Sequence, residues 1–157
     1  MYKYGNTPEK GKRAAEKRWA DYEKKLKSIH NHNPLLKAKL CGYLAGDGCV
    51  CICKEKARPH LKNKRIAFYP DHIDLANDFR ETFYKVYGLK PSLEKEKNYY
   101  RVRLGSKLAY LDLMSITRFD SLNWNVPFKI LLTPEIKKEW IRAFFDCEAY
   151  VGKRIIT

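Results

Sequence analysis

The chain of 157 residues carries 32 Lys and Arg against 18 Asp and Glu, a formal charge of +14, while 45% of its residues are hydrophobic and 13% aromatic. That length supports one substantial core and excludes two domains of ordinary size, and the aromatic content excludes a disordered basic tail. The cationic excess selects a polyanionic partner, nucleic acid being the commonest, and no run reaches the roughly 20 apolar residues of a bilayer span.

Residues 1–33 read as a basic extension with one helical run, Glu9 to Ile29, in which Ala14, Ala15, Trp19, Tyr22 and Leu26 fall at the spacing of a narrow apolar stripe. The tetrad His30-Asn31-His32-Asn33 closes it, and Asn33 is read as a polar cap with Pro34 at the first helical position of the next helix. Cys49 to Lys56 reads as a strand, Pro59 and His60 as part of a loop, and Lys64 to Tyr69 as a second strand. Pro70 and Asp71 stop that strand, with Asp71 capping a helix whose apolar face is Ile73, Leu75, Ala76, Phe79, Phe83 and Val86 and whose end is Gly88. Pro91 to Glu96 and Tyr99 to Leu104 form a hairpin around Lys97-Asn98, and Ser106 opens a helix through Leu108, Leu111 and Met114. Thr133-Pro134 repeats the Asn33-Pro34 start signal before a final helix. The expected fold class is α+β: an α-β-β-α-β-β-α unit with a four-stranded antiparallel sheet covered by helices on one face.

Strand alternation separates two faces of different chemistry. Tyr100, Val102 and Leu104 face one way and Tyr99, Arg101 and Arg103 the other; Ile66 and Phe68 oppose Arg65, Ala67 and Tyr69. Leu93 turned inward sends Glu94 and Glu96 outward, so the cationic face contains acids on the third strand. Cys49, Cys51 and Cys53 share one face, and with Cys41 and Cys147 they make an odd set of five without a C-x-x-C pair. A reduced, intracellular, cytoplasmic setting is therefore expected, with no zinc site at the three alternating thiols; the polar N-terminus is not a signal peptide.

The strongest organising signal is a repeat. Leu40-Cys41-Gly42-Tyr43-Leu44-Ala45-Gly46-Asp47-Gly48 has a looser echo about a hundred residues later in Ile141-Arg142-Ala143-Phe144-Phe145-Asp146-Cys147-Glu148-Ala149. Small residues four apart, Gly42 and Gly46 in one copy and Ala143 and Cys147 in the other, allow two helices to approach at backbone distance and set Asp47 beside Glu148. Two carboxylates at helix C-termini repel each other and the local dipole, so the pair calls for a cation, and oxygen ligands with a phosphate partner indicate Mg²⁺. Asp146 stands two positions before the acid of the echo and is expected to face a different neighbour.

The nonamer Leu40 to Gly48, its echo, the unit between them and the segment Asn123-Trp124-Asn125-Val126-Pro127 resemble the LAGLIDADG homing endonucleases, in their single-chain two-motif branch. The resemblance implies a site-specific endonuclease of intron or intein mobile elements that hydrolyses both strands of double-stranded DNA. Asp47 and Glu148 are then the catalytic, metal-holding acids, with the Gly46 carbonyl as a further ligand and Lys129 a guess for the basic helper. It implies a sheet lying along the major groove, with Arg101 and Arg103 as the leading base contacts, joined by Arg65, Tyr69, Cys51 and Cys53, with Cys49 and Glu55 at further outward positions. Lysines of the N-terminal segment add salt-sensitive phosphate binding.

On this reading residues 34–132 are the first repeat and 133–157 the second helix with the start of a truncated second repeat, in which Val151 to Ile156 supplies one strand at most. The second sheet then comes from another polypeptide, or the chain is a fragment, or activity is lost. The alternatives are a non-catalytic module binding intron RNA as a maturase, or a DNA-binding regulator on the same fold.

Overall fold

The computed structural model describes residues 8–30, 33–120 and 123–148. It comprises two compact units, Met1–His32 and Asn33–Thr157. The first contains helix α1 (Pro8–His30), whose described side chains are exposed except for a half-buried Tyr22. The second runs α2 (Pro34–Asp47), β1 (Gly48–Glu55), β2 (Arg58–Phe68), α3 (Ile73–Tyr87), β3 (Ser92–Lys95), β4 (Tyr100–Gly105), α4 (Lys107–Ile116) and α5 (Pro134–Glu148). Val151 to Ile156 lie outside the described residues. No described helix is long and apolar enough to cross a membrane.

The strands form one antiparallel sheet of four in the order β1-β2-β4-β3. Its register sets Val50 opposite Ile66 and Ile66 opposite Leu104, and it aligns Phe68 with Val102 and Val102 with Leu93. Those rows point to the helices. Phe68 stacks on Phe79 with ring centroids 4.6 Å apart, Tyr43 lies 5.4 Å from Phe68, and Leu40, Leu44, Phe83 and Leu113 are fully buried around them. Each such side chain contributes about 1.5–3 kcal/mol relative to exposure, which is why the alternation in sequence fixes which face is covered.

A polar cluster crosses the helical layer. The Lys37 ammonium lies 2.7 Å from the Asp112 carboxylate, both buried, and the Tyr87 hydroxyl donates to the same oxygen at 2.6 Å. Tyr43 donates to Asp78 at 2.5 Å, and Lys39 pairs with Asp78 at 2.6 Å.

Local signals at the element ends fared unevenly. Ser106 accepts a hydrogen bond from the Ala109 amide and Gly88 closes α3 in the left-handed region at φ 72°, as expected. Thr133 accepts from the Ile136 amide. Asn33 precedes α2 in the left-handed region at φ 58°, not in the extended conformation from which a capping side chain reaches the N2 or N3 amide, and its side chain makes no cap. Asp71 is not the cap of α3: that position falls to His72, without a side-chain bond. The expected loop at Pro59 and His60 is instead the start of β2, where β1 and β2 extend past β4 as a two-stranded ribbon, with Asn63 donating to Glu55 at 2.8 Å. Proline is tolerated there because the ribbon has no third strand to receive its missing N–H.

Candidate functional site

The two small-residue helices meet face to face. A Cβ built on Gly42 would lie 2.5 Å from the Trp140 carbonyl oxygen and 2.8 Å from the Ala143 Cβ, and one on Gly46 would lie 2.5 Å from the Cys147 Cβ. No side chain fits at either glycine without moving backbone, so these positions set the distance between α2 and α5. The Cys147 thiol lies 4.0 Å from the Tyr43 carbonyl, and burial, with Asp47 next, pushes it up to about 12, so it packs as a neutral group.

The far ends of both helices open on one cleft of about 480 Å³ lined by Ala45–Cys49, Tyr69, Asp120, Trp124 and Glu148. A smaller adjoining cleft has Asp47, Asp71, His72, Leu75, Asp146, Cys147 and Glu148 on its walls. Asp47 and Glu148 therefore come together as the repeat implies. The backbone holds Asp47 in place: α2 passes directly into β1 at Gly48, and the Asp47 carbonyl accepts from the Tyr69 amide at 2.9 Å. A side chain at Gly48 would strike Leu44 at 2.6 Å, so this glycine permits the abrupt change from helix to strand.

Electrostatics mark Asp47 out. Burial, then the Glu148 charge, then Asp71 push its pKa from 3.8 up to about 6. Glu148 is exposed and Asp47 half-buried, so the two carboxylates lie in unequal surroundings. Among the described residues no group of three or more His, Cys, Asp or Glu side chains is placed to hold a metal ion. Two convergent carboxylates fit the hard cation that takes one or two carboxylates and completes its shell with water and phosphate oxygens.

Two cleft residues, Asp71 and Asp120, were missed or misread in sequence. Asp71 reads in sequence as a helix cap, and Asp120, which accepts from the Asn123 amide at 2.8 Å, carries no periodic signal; Asp146 borders only the smaller cleft, beside Asp71, His72 and Leu75. Trp124, from the segment noted upstream of the echo, lies 5.2 Å from Phe144 and borders the larger cleft. Lys129 hydrogen-bonds the Ser115 carbonyl at 3.4 Å and is absent from both cleft walls.

On the outward sheet face, Cys49, Ala67, Arg103 and Ser92 form one row, and Cys51 stands opposite Arg65. Arg101 and Arg103 are engaged by the outward acids of β3. Arg101 reaches Glu96 at 2.6 Å and Glu94 at 3.6 Å, and Arg103 reaches Glu94 at 3.1 Å. Arg65 has neither an ion pair nor a side-chain hydrogen bond among the described residues. Cys51 and Cys53 hold their sulfurs 3.4 Å apart, and burial with the neighbouring thiols raises Cys51 to about 12, keeping that thiol neutral.

This arrangement, an α+β unit with a four-stranded antiparallel sheet and a second glycine-packed helix, is a homing-endonuclease-like fold. Mesophilic variants of the homing endonuclease I-DmoI are similar at TM-score 0.54 and 17% identity, covering 73% of this chain and 61% of that one. I-DmoI in complex with DNA and Mn is similar at TM-score 0.53 and 17% identity over 73% and 62%, and its complex with DNA and Ca at 0.54 and 18% over 73% and 58%. At such identities the likeness is one of fold, and the chain spans about three-fifths of the length of these neighbours. No family model and no curated protein matches the chain.

Proposed function

We propose that the second unit belongs to a site-specific DNA endonuclease of the homing type, which hydrolyses phosphodiester bonds in duplex DNA with a divalent cation, Mg²⁺ by preference, held by Asp47 and Glu148. The observation that carries this reading is the backbone-distance packing of Gly42 and Gly46 on α5, which delivers both acids to one cleft and leaves Asp47 carrying an unfavourable charge. The complexes of I-DmoI with DNA and Mn or Ca support the choice of substrate and cofactor class.

When bound, the cation would polarise the phosphodiester and make water a competent nucleophile near neutral pH. The residues of the chain do the rest. Asp47 and Glu148 supply its anionic ligands, and the Gly46 carbonyl, one residue earlier on the same helix end, is a third oxygen. Ala143 and Cys147 act as positioning residues, since the separation of the acids follows the separation of the helices. Arg65 on β2 and Tyr69 just beyond its end face the major groove, Cys51 and Cys53 offer small apolar contacts to bases, and Arg101 and Arg103 read guanine by exchanging Glu94 and Glu96 for base edges.

Residues 34–132 make the first repeat on this reading, and 133–157 begin a second. Ile141 and Phe145 occupy the places in the echo that Leu40 and Leu44 hold in the first copy. Leu40 and Leu44 are 0% and 1% exposed under the sheet, whereas Ile141 and Phe145 are 46% and 57% exposed. That asymmetry supports a second sheet covering α5, contributed by more of the same polypeptide or by another. The test is incubation with a randomised duplex library and Mg²⁺, with sequencing of cut ends: a defined cut site that disappears in Asp47→Asn supports the reading. Undiminished cutting by that variant, or no cutting with either sheet complement supplied, rejects it.

A further inference from the structure

The first unit carries one helix with a one-sided arrangement of cations. α1 holds eight Lys and Arg against four Asp and Glu. At 100° per residue, Lys10, Arg13, Lys17 and Lys24 fall within an arc of about 60°, and Ala15, Trp19 and Tyr22 fall on the opposite side. All four cations are exposed, and among the described residues none forms an ion pair or a side-chain hydrogen bond, although Glu9, Glu16, Asp21 and Glu23 share the helix. Arg18, off that arc, instead turns its guanidinium back to the Ala14 carbonyl at 3.3 Å. Trp19 and Tyr22 stand with ring centroids 6.5 Å apart on the other face. On β4, by contrast, Arg101 and Arg103 are tied to Glu94 and Glu96.

We infer that the Lys10-Arg13-Lys17-Lys24 ridge is a separate binding surface for the phosphodiester backbone of duplex DNA, indifferent to sequence. Along the axis the ridge spans about 21 Å, the rise of fourteen helical steps, enough to meet several successive phosphates along one strand. Four unpaired cations facing one way release condensed counterions on contact, and that release is the driving force. The ridge gives the chain affinity for any duplex, holding it on DNA while another surface reads sequence. Nothing in this depends on the cleavage reading, because the contact needs neither the acid pair nor a metal.

The test uses the full chain, an arbitrary 30-base-pair duplex and metal-free buffer with chelator, with binding followed by fluorescence anisotropy across a salt titration. The ridge variant carries Lys10→Gln, Arg13→Gln, Lys17→Gln and Lys24→Gln; a control carries Lys12→Gln, Arg18→Gln and Lys25→Gln from other arcs of the same helix. Glutamine is close to lysine and arginine in helix propensity, and circular dichroism verifies that α1 persists. The ridge variant should lower the slope of log affinity against log salt by about 3.6, or 0.9 per lost phosphate contact. The control should lower it by less than about 1 in all. Equal loss per charge in the two variants overturns the ridge, as does an unchanged slope, and an effect seen on duplex RNA but not on DNA overturns the ligand. The readout is binding without metal, which needs neither the acid pair nor cleavage, so a failure here is distinct from a failure of the endonuclease reading.

Discussion

Replacing Asp47 with Asn should stabilise the folded chain while weakening its hold on a cation. The Asp47 carboxyl is raised from 3.8 to about 6, chiefly by burial and then by Glu148 and Asp71. A shift of about two units corresponds to about 3 kcal/mol, and because the side chain is half-exposed, solvent screening reduces this to about 1–2 kcal/mol. The direction follows from proton counting. Between 3.8 and about 6 the folded chain keeps a proton that the unfolded chain has released, so stability falls as pH rises through that window and the whole penalty is present above it. In metal-free buffer at pH 7.5 the Asn variant should melt about 3–6 °C above the parent, and at pH 3.5 the two should coincide. Addition of Mg²⁺ should then raise the melting temperature of the parent more than that of the variant, since the chain that binds the ion more tightly gains more from it. Urea titration at both pH values gives the free energies. A variant that is less stable at pH 7.5, or stabilised equally at pH 3.5, would refute the strained carboxylate.

The helix interface should tolerate no side chain at its glycines. Gly42→Ala places a methyl 2.5 Å from the Trp140 carbonyl, and thermal melting should show a loss of about 1–3 kcal/mol together with weaker cation binding, as the acids separate. Lys37→Met leaves the buried Asp112 carboxylate without its ammonium and should cost about 3–5 kcal/mol in urea titration, much of it restored by adding Asp112→Leu. Glu94→Gln frees Arg103, while Arg101 keeps Glu96, and should steepen the salt dependence of duplex binding by about 1 while moving stability by less than about 1 kcal/mol, because the pairs it breaks are exposed.

The parts of the fold that the chain announces are those where one local rule acts alone. Gly42 and Gly46 repeat at four residues and are echoed by Ala143 and Cys147, and the helix pair follows from that spacing. Val102, Ile66 and Phe68 alternate with arginines and find the covered face of the sheet. What stayed hidden depends on partners distant in sequence. Pro59 and His60 look like a turn until the β1–β2 ribbon is seen to run past the sheet. Arg101 and Arg103 look free until register sets Glu94 opposite Arg101 and Ser92 opposite Arg103, bringing both guanidinium groups within reach of the β3 acids. Asp71 and Asp120 enter the clefts through loop paths, which leave no periodic trace.

The central claim, that the paired ends of α2 and α5 form a cation site, is tested most directly by titrating Mn²⁺ into the full chain and counting bound ion by electron paramagnetic resonance. The parent should bind Mn²⁺, Mg²⁺ should compete for it, and Asp47→Asn and Glu148→Gln should each weaken binding tenfold or more, with protonation of Asp47 reducing affinity below about pH 6. Mn²⁺ binding that is absent in the parent, or the same in the parent and both variants, would contradict it.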